Sequence, residues 1–163
     1  MVLSQTYTQQ MFTEIYYRQV ASVYRICYSF MKNVPEAEDM VQETFLRLMT
    51  SGQTFENSRH EKAWLIVTAS NLCKDTLKKW WRKHEDLDDY AQILPAADPK
   101  EDSVVEAVLS LPPKYKDVVY LYYYEGYTTA EIAKHLKSAE ATIRSRLSRA
   151  RTILKNQLGG ELE

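Results

Sequence analysis

Two cysteines, four glycines and five prolines are all that 163 residues contain of the types that most often mark other architectures. Cys27 and Cys73 form no CxxC spacing, which excludes a disulfide framework and a cysteine-rich zinc site. So little glycine and proline cannot serve the turns of a sandwich or barrel, and favours long helices. No apolar run approaches the ~20 residues of a membrane span. The opening MVLSQTYTQQ is polar after its third residue and lacks the shape of a signal peptide. The reading is a cytoplasmic chain with no direct membrane insertion. His60, His84 and His135 are far apart and match no HExxH spacing, and neither a P-loop nor a Rossmann glycine pattern occurs. No catalytic residue, metal site or cofactor follows from these residues, and an enzyme is not expected.

Hydrophobic residues make up 45% of the chain and charged ones 26%, the balance of a folded protein and not of a disordered one. Net charge is −1, which on its own argues against a polyanion partner. Its distribution argues the opposite. Residues 59–84 carry seven basic and two acidic side chains, and residues 134–155 carry seven and one. Between them, residues 85–103 carry one basic and seven acidic. Two basic blocks on either side of an acidic stretch are a more specific signal than the total.

Periodicity then supplies the helices. Phe12, Ile15, Tyr16, Val20, Val23, Cys27 and Phe30 recur every three or four residues and predict a helix from about Thr8 to Met31. Pro35 suits the first turn of a second helix, with Ala37, Met40, Val41, Phe45 and Leu48 on its apolar face and Gly52 at its end. Residues 52–60 read as a loop. A third helix is predicted from Glu61 to about Lys83, with Trp64, Leu65, Ala69, Leu72, Thr76 and Leu77 buried. Its opposite side carries Asn71, Lys74, Asp75, Lys78 and Arg82. The acid-rich stretch 85–103, with two prolines, reads as a linker.

Beyond the linker, four short helices are expected. Val104, Val105, Val108 and Leu109 begin the first. Pro112 and Pro113 separate it from one running through Tyr115–Glu125, which Gly126 ends. Thr128 and Glu131 have capping-box spacing and start a short helix with Ala130, Ile132, Ala133 and Leu136 apolar. After a turn at Lys137-Ser138-Ala139, a last helix runs from about Glu140 to Leu158, with Ile143, Leu147, Ala150 and Leu154 buried and Arg144, Arg146, Arg149, Arg151 and Lys155 outside. A short capped helix, a three-residue turn and a second helix with an arginine face fit a helix-turn-helix that lays its second helix in the DNA major groove. Arginine suits that place because its planar fork binds guanine bidentately or clamps phosphate. The fold class is therefore all-α, as two small helical domains at residues 1–84 and 104–163 joined by the acidic linker 85–103.

Four segments carry a resemblance: PEAEDMVQETFLRLM (35–49), AWLIVTASNLCKDTLKKWWRK (63–83), LPPKYKDVVYLYYYEGYTTAEIAKHL (111–136) and ATIRSRLSRAR (141–151). Together and in this order they resemble an extracytoplasmic-function sigma factor of the sigma-70 family. The resemblance implies a region 2 domain, a region 4 domain and no enzymatic activity. It implies that the chain binds core RNA polymerase, directs it to promoter DNA and helps to melt it. By position, Asp39, Gln42 and Glu43 fall where the family meets the polymerase, and residues 52–61 where a flipped promoter base is held. Asn71, Lys74 and Asp75, with the cations Lys78 and Arg82 on the same stripe, match the helix facing the minus-10 element. Arg144, Ser145, Ser148 and Arg149 match the helix reading the minus-35 element. The family is commonly held inactive by an anti-sigma factor.

In one place the chain departs from the family. Where relatives commonly have Gly-Ile-Ser at the recognition turn, this chain has Lys137-Ser138-Ala139, so Ser138 is expected to cap the last helix one residue early. The alternative reading is a free-standing helix-turn-helix regulator that binds duplex DNA without polymerase.

Overall fold

In the computed structural model, residues 8–83 and 103–157 are described, and none of them lies in a strand. The chain divides into two compact units, Met1–Asp98 and Pro99–Glu163. The acidic stretch 85–102, the end of the last helix at Leu158 and the side chains of Val104 and Val105 lie outside the described residues.

Three helices build the first unit: α1 (Gln9–Met31), α2 (Val34–Ser51) and α3 (Ser58–Lys83). Each begins at a side-chain cap. The Thr8 hydroxyl accepts from the Met11 amide at 3.1 Å, and Asn33 Oδ1 accepts from the Glu36 amide at 3.0 Å. Pro35 sits in the first turn of α2, and Gly52 ends it with φ +68°. The third helix begins earlier than the sequence predicts. Asn57 Oδ1 accepts from the His60 amide at 2.8 Å and the Asn57 carbonyl accepts from Glu61 at 3.1 Å, so Ser58, not Glu61, is its first residue.

The core between these helices contains Val23, Ile26, Cys27, Phe30, Met31, Leu48, Leu65, Ile66, Ala69 and Cys73. Burying each Leu or Ile is worth ~1.5–3 kcal/mol. Both cysteines are thiols inside this core. The edges of the predicted faces differ. Tyr16 is exposed and lies on the Phe45 ring at 4.9 Å. Phe12, Val20, Met40, Trp64, Leu72 and Thr76 are half-buried. Polar groups also enter the interior. Gln19 is fully buried, Glu61 nearly so, and the Arg18 guanidinium meets both Glu61 carboxylate oxygens at 3.0 Å.

The second unit contains α4 (Ser103–Leu109), α5 (Pro113–Val119), a π-helical turn (Tyr120–Tyr124), α6 (Thr129–Leu136) and α7 (Glu140–Gln157). The single helix predicted through Tyr115–Glu125 is thus two pieces. The Glu125 amide donates to the Tyr120 carbonyl at 3.1 Å, five residues back, where an α-helix reaches four. Tyr120 and Tyr124 stack within this turn, their centroids 5.0 Å apart. Gly126 follows with φ +77°, a conformation other residues adopt only with strain. The seam of α7 is buried as its spacing predicts, at Ile143, Leu147, Ala150 and Leu154. It faces Ile132 and Ala133 of α6 and the apolar side of α5. In α6, Ala130 is exposed and Leu136 half-buried, since an eight-residue helix turns only a narrow stripe inward. Lys116 is buried, and its ammonium donates to the Leu109 carbonyl at the end of α4 at 3.0 Å.

Candidate nucleic-acid interface

Helical geometry in α3 places Asn71, Asp75, Lys78 and Arg82 on one line opposite Ile66, Ser70, Cys73 and Leu77. The four are exposed and the last four buried. Lys74 is rotated toward the core and is half-buried. Lys79, Trp81 and Lys83 add exposed charge and an indole near the helix end. A cationic track with aromatic surface suits a single-stranded nucleic acid.

The loop before α3 is braced from both sides. Phe55 meets His60 edge-on at 5.2 Å and Trp64 at 5.8 Å, and the Glu56 amide donates to His60 Nδ1 at 3.2 Å. Beneath it, Gln19 Nε2 donates to Glu61 Oε1 at 2.8 Å and to the Ser58 carbonyl at 3.2 Å. The hydrogen bond to Glu61 raises the Arg18 pKa above its ordinary value, partly opposed by desolvation. A cavity of about 290 Å³ opens here, lined by Arg18, Thr54, Phe55 and Glu61 among others. Periodicity does not indicate this polar floor, because its partners are some forty positions apart in the chain.

Asp39, Gln42 and Glu43 are exposed on α2, on the side turned away from the buried Ala37, Val41, Phe45 and Leu48. Leu46 lies at the centre of the same exposed line and is 37% accessible. Helical periodicity does not mark it as part of the core. Its signal was an apolar residue four positions from Gln42, off the buried face.

In the second unit the capping box forms as its spacing predicts. Thr128 Oγ1 accepts from the Glu131 amide at 3.1 Å, and Glu131 Oε1 accepts from the Thr128 amide at 2.9 Å. The turn into α7 uses Lys137 in the left-handed region, φ +55°. Ser138 does not cap α7: its hydroxyl donates to the Leu136 carbonyl at 3.4 Å. The first helical carbonyl is that of Ala139, which accepts from Thr142 and Ile143, so Ser138 sits one residue too early. A different contact ties the two helices. Thr129 Oγ1 donates to Glu140 Oε2 at 2.6 Å, and that oxygen also meets Arg144 at 3.1 Å. The Thr129 hydrogen bond holds the Glu140 carboxyl below its ordinary pKa; desolvation opposes it, and the Arg144 charge adds a lesser lowering.

Arg144, Ser145, Ser148 and Arg149 are all exposed. At 100° per residue Ser145 occupies the middle of the solvent face. Arg144 and Arg151 lie on one flank, and Arg146 and Arg149 on the other. Arg151 donates to the Tyr123 hydroxyl at 2.8 Å. Arg149 and Ser145 line a cavity of about 360 Å³ together with Lys114 and Arg146. No helix among the described residues is long and apolar enough to cross a membrane.

An exposed cationic helix in one unit and a helix-turn-helix in the other are surfaces suited to nucleic acid, and comparison with known families says which class of protein carries them. The family model for Sigma-70 region 2 matches residues 15–85, and that for Sigma-70, region 4 matches residues 101–154. The ECF RNA polymerase sigma factor SigW of Bacillus subtilis is 32% identical over 154 residues, covering 83% of this chain and 82% of SigW. SigE of Mycolicibacterium smegmatis is 33% identical over 147 residues, covering 83% of this chain and 57% of SigE. The fold is similar to that of the sigma factor RpoE from Bartonella quintana, solved with the anti-sigma factor NepR. That TM-score is 0.71 at 22% identity, over 92% of this chain and 98% of RpoE. This chain belongs to the sigma-70 family, as an ECF RNA polymerase sigma factor, a transcription initiation factor that directs polymerase to promoters. The match to region 2 as well as region 4 disfavours a free-standing regulator.

Proposed function

We propose that the exposed line Asp39, Gln42, Glu43 and Leu46 docks this chain on core RNA polymerase. Asn71, Lys74, Asp75, Lys78 and Arg82 then meet the minus-10 element, and Arg144, Ser145, Ser148 and Arg149 the minus-35 element. Residues 1–84 act as region 2, residues 104–163 as region 4 and residues 85–103 as their tether. Linkage of two DNA-facing surfaces raises the effective concentration of the second once the first has bound. The chain works in the cytoplasm as a non-enzymatic factor. Its partners include an anti-sigma factor, a reading supported by the RpoE–NepR complex and by a similar fold, CnrH, solved with the cytosolic domain of CnrY.

The observation that carries this reading is the α2 edge. Two carboxylates, an amide and an exposed leucine share a line that nothing in the unit's own packing requires. A polar rim around an apolar centre is the composition of an interface. The test is Asp39→Arg with Glu43→Arg, titrated as labelled full-length protein against core polymerase. Stability changes by no more than ~0.5 kcal/mol, as for exposed sites. Affinity for core falls by more than tenfold, because like charges across an interface cost several kcal/mol. Wild-type affinity in the double variant refutes the docking face.

A further inference from the structure

The two flanks of α7 differ in how their charge is met. On one, Arg144 is paired with Glu140 and Arg151 is held by Tyr123. On the other, Arg146 and Arg149 have no ion pair or hydrogen bond among the described residues, and they line one cavity with Lys114, Thr142 and Ser145. Lys114 belongs to α5, outside the helix-turn-helix. Its ammonium lies 5.1 Å from the centroid of the Tyr115 ring, which also lines the cavity. Among the described residues, no carboxylate borders this space.

Three cations gathered without an acid repel one another, and an anion between them removes that cost. Two guanidinium forks, an ammonium and two hydroxyls are the donors that suit the non-bridging oxygens of a phosphodiester. A helix lying in the major groove has a phosphate backbone along each edge. The flank already neutralised by Glu140 offers little to such a backbone, whereas the open flank offers a concave seat. We propose that the cavity between α5 and α7 seats one backbone phosphate of promoter DNA, with Lys114 closing it from outside the helix-turn-helix. This rests on the reading of α7 as the minus-35 helix. Arg149 stands where the seat meets the base-facing centre at Ser145, so it links strand position to base reading. Lys114 and Arg146 position the duplex and carry no sequence information.

The experiment uses holoenzyme assembled from core polymerase and the full-length chain, with promoter fragments in which single minus-35 phosphates are replaced by neutral methylphosphonates. Lys114→Ala weakens binding equally on cognate and scrambled minus-35 elements and lowers the slope of log affinity against log salt by about 1. Lys114→Arg restores both. One methylphosphonate position that weakens wild type has no further effect in Lys114→Ala, which identifies the seated phosphate. If Lys114→Ala binds with unchanged slope while Arg149→Ala weakens binding, the seat is overturned and the minus-35 helix stands. If every methylphosphonate adds to the Lys114→Ala loss, the lysine acts through net charge alone and the seat is again overturned. If wild type does not distinguish cognate from scrambled elements, the reading of α7 fails and the seat with it.

Discussion

Removing Arg18 tests whether the floor beneath the 52–57 loop is held by charge or by packing. Glu61 keeps only 7% of its side-chain surface in water, and Arg18 meets it through two bonds of 3.0 Å. Breaking a fully buried pair by deleting one partner costs ~3–5 kcal/mol, since the other charge is stranded. Arg18 itself is 44% exposed, so water already screens part of the attraction. The stranded carboxylate also retains the Gln19 bond at 2.8 Å. The discounted cost of Arg18→Ala is ~2 kcal/mol, against ~1 kcal/mol for Glu61→Gln, which neutralises the charge but keeps an acceptor. The order of the two matters more than either size. All three tryptophans, Trp64, Trp80 and Trp81, lie in the first unit, so their fluorescence in a urea titration follows that unit alone. A lower midpoint at unchanged slope reports stability. Arg18→Ala within 0.5 kcal/mol of wild type, the range of surface substitutions, or less costly than Glu61→Gln, refutes the argument.

Asn57→Ala removes the cap of α3 and lowers the same tryptophan-monitored stability by ~1 kcal/mol; an unchanged midpoint means the helix starts without it. The Glu140 carboxyl is held below its ordinary pKa, first by Thr129. Its contribution is therefore complete at pH values above the ordinary carboxylate range and is lost as pH falls through the lowered folded value. Thr129→Val moves the Glu140 titration, followed by carboxyl-carbon NMR, back toward the ordinary value. An unmoved titration assigns the shift to Arg144 instead.

What periodicity and capping could reach was legible. The α7 seam and the Thr128–Glu131 capping box occur where spacing places them, because both depend on residues within two turns of each other. The buried cluster of Gln19 and Glu61 was not legible. A buried glutamine or glutamate is specified only by a partner that the fold supplies from far along the chain. The start of α3 was hidden for a related reason: Asn57 lies in a polar run where loop and cap look alike. Ser138 misled because a cap is defined by which carbonyl begins the helix, and here that is Ala139. Of the candidate site residues, exposure followed from the stripes, with Lys74 half-buried at the edge. The Arg144–Glu140 pair was within reach as a four-residue spacing, whereas the joining of Lys114 to Arg149 depends on how α5 meets α7.

The π-helical turn makes the second unit sensitive to length rather than to composition. Between Val119 and Glu125 the chain makes a turn with one residue more than an α-helix would use. Exchanging Tyr122 or Tyr123, both exposed, alters a ring on the outside. Deleting either closes the turn to α spacing and leaves Tyr120 and Tyr124 three positions apart instead of four, which breaks their stack. At Tyr122 the turn thus acts as a spacer, where side-chain identity can drift while the residue count cannot.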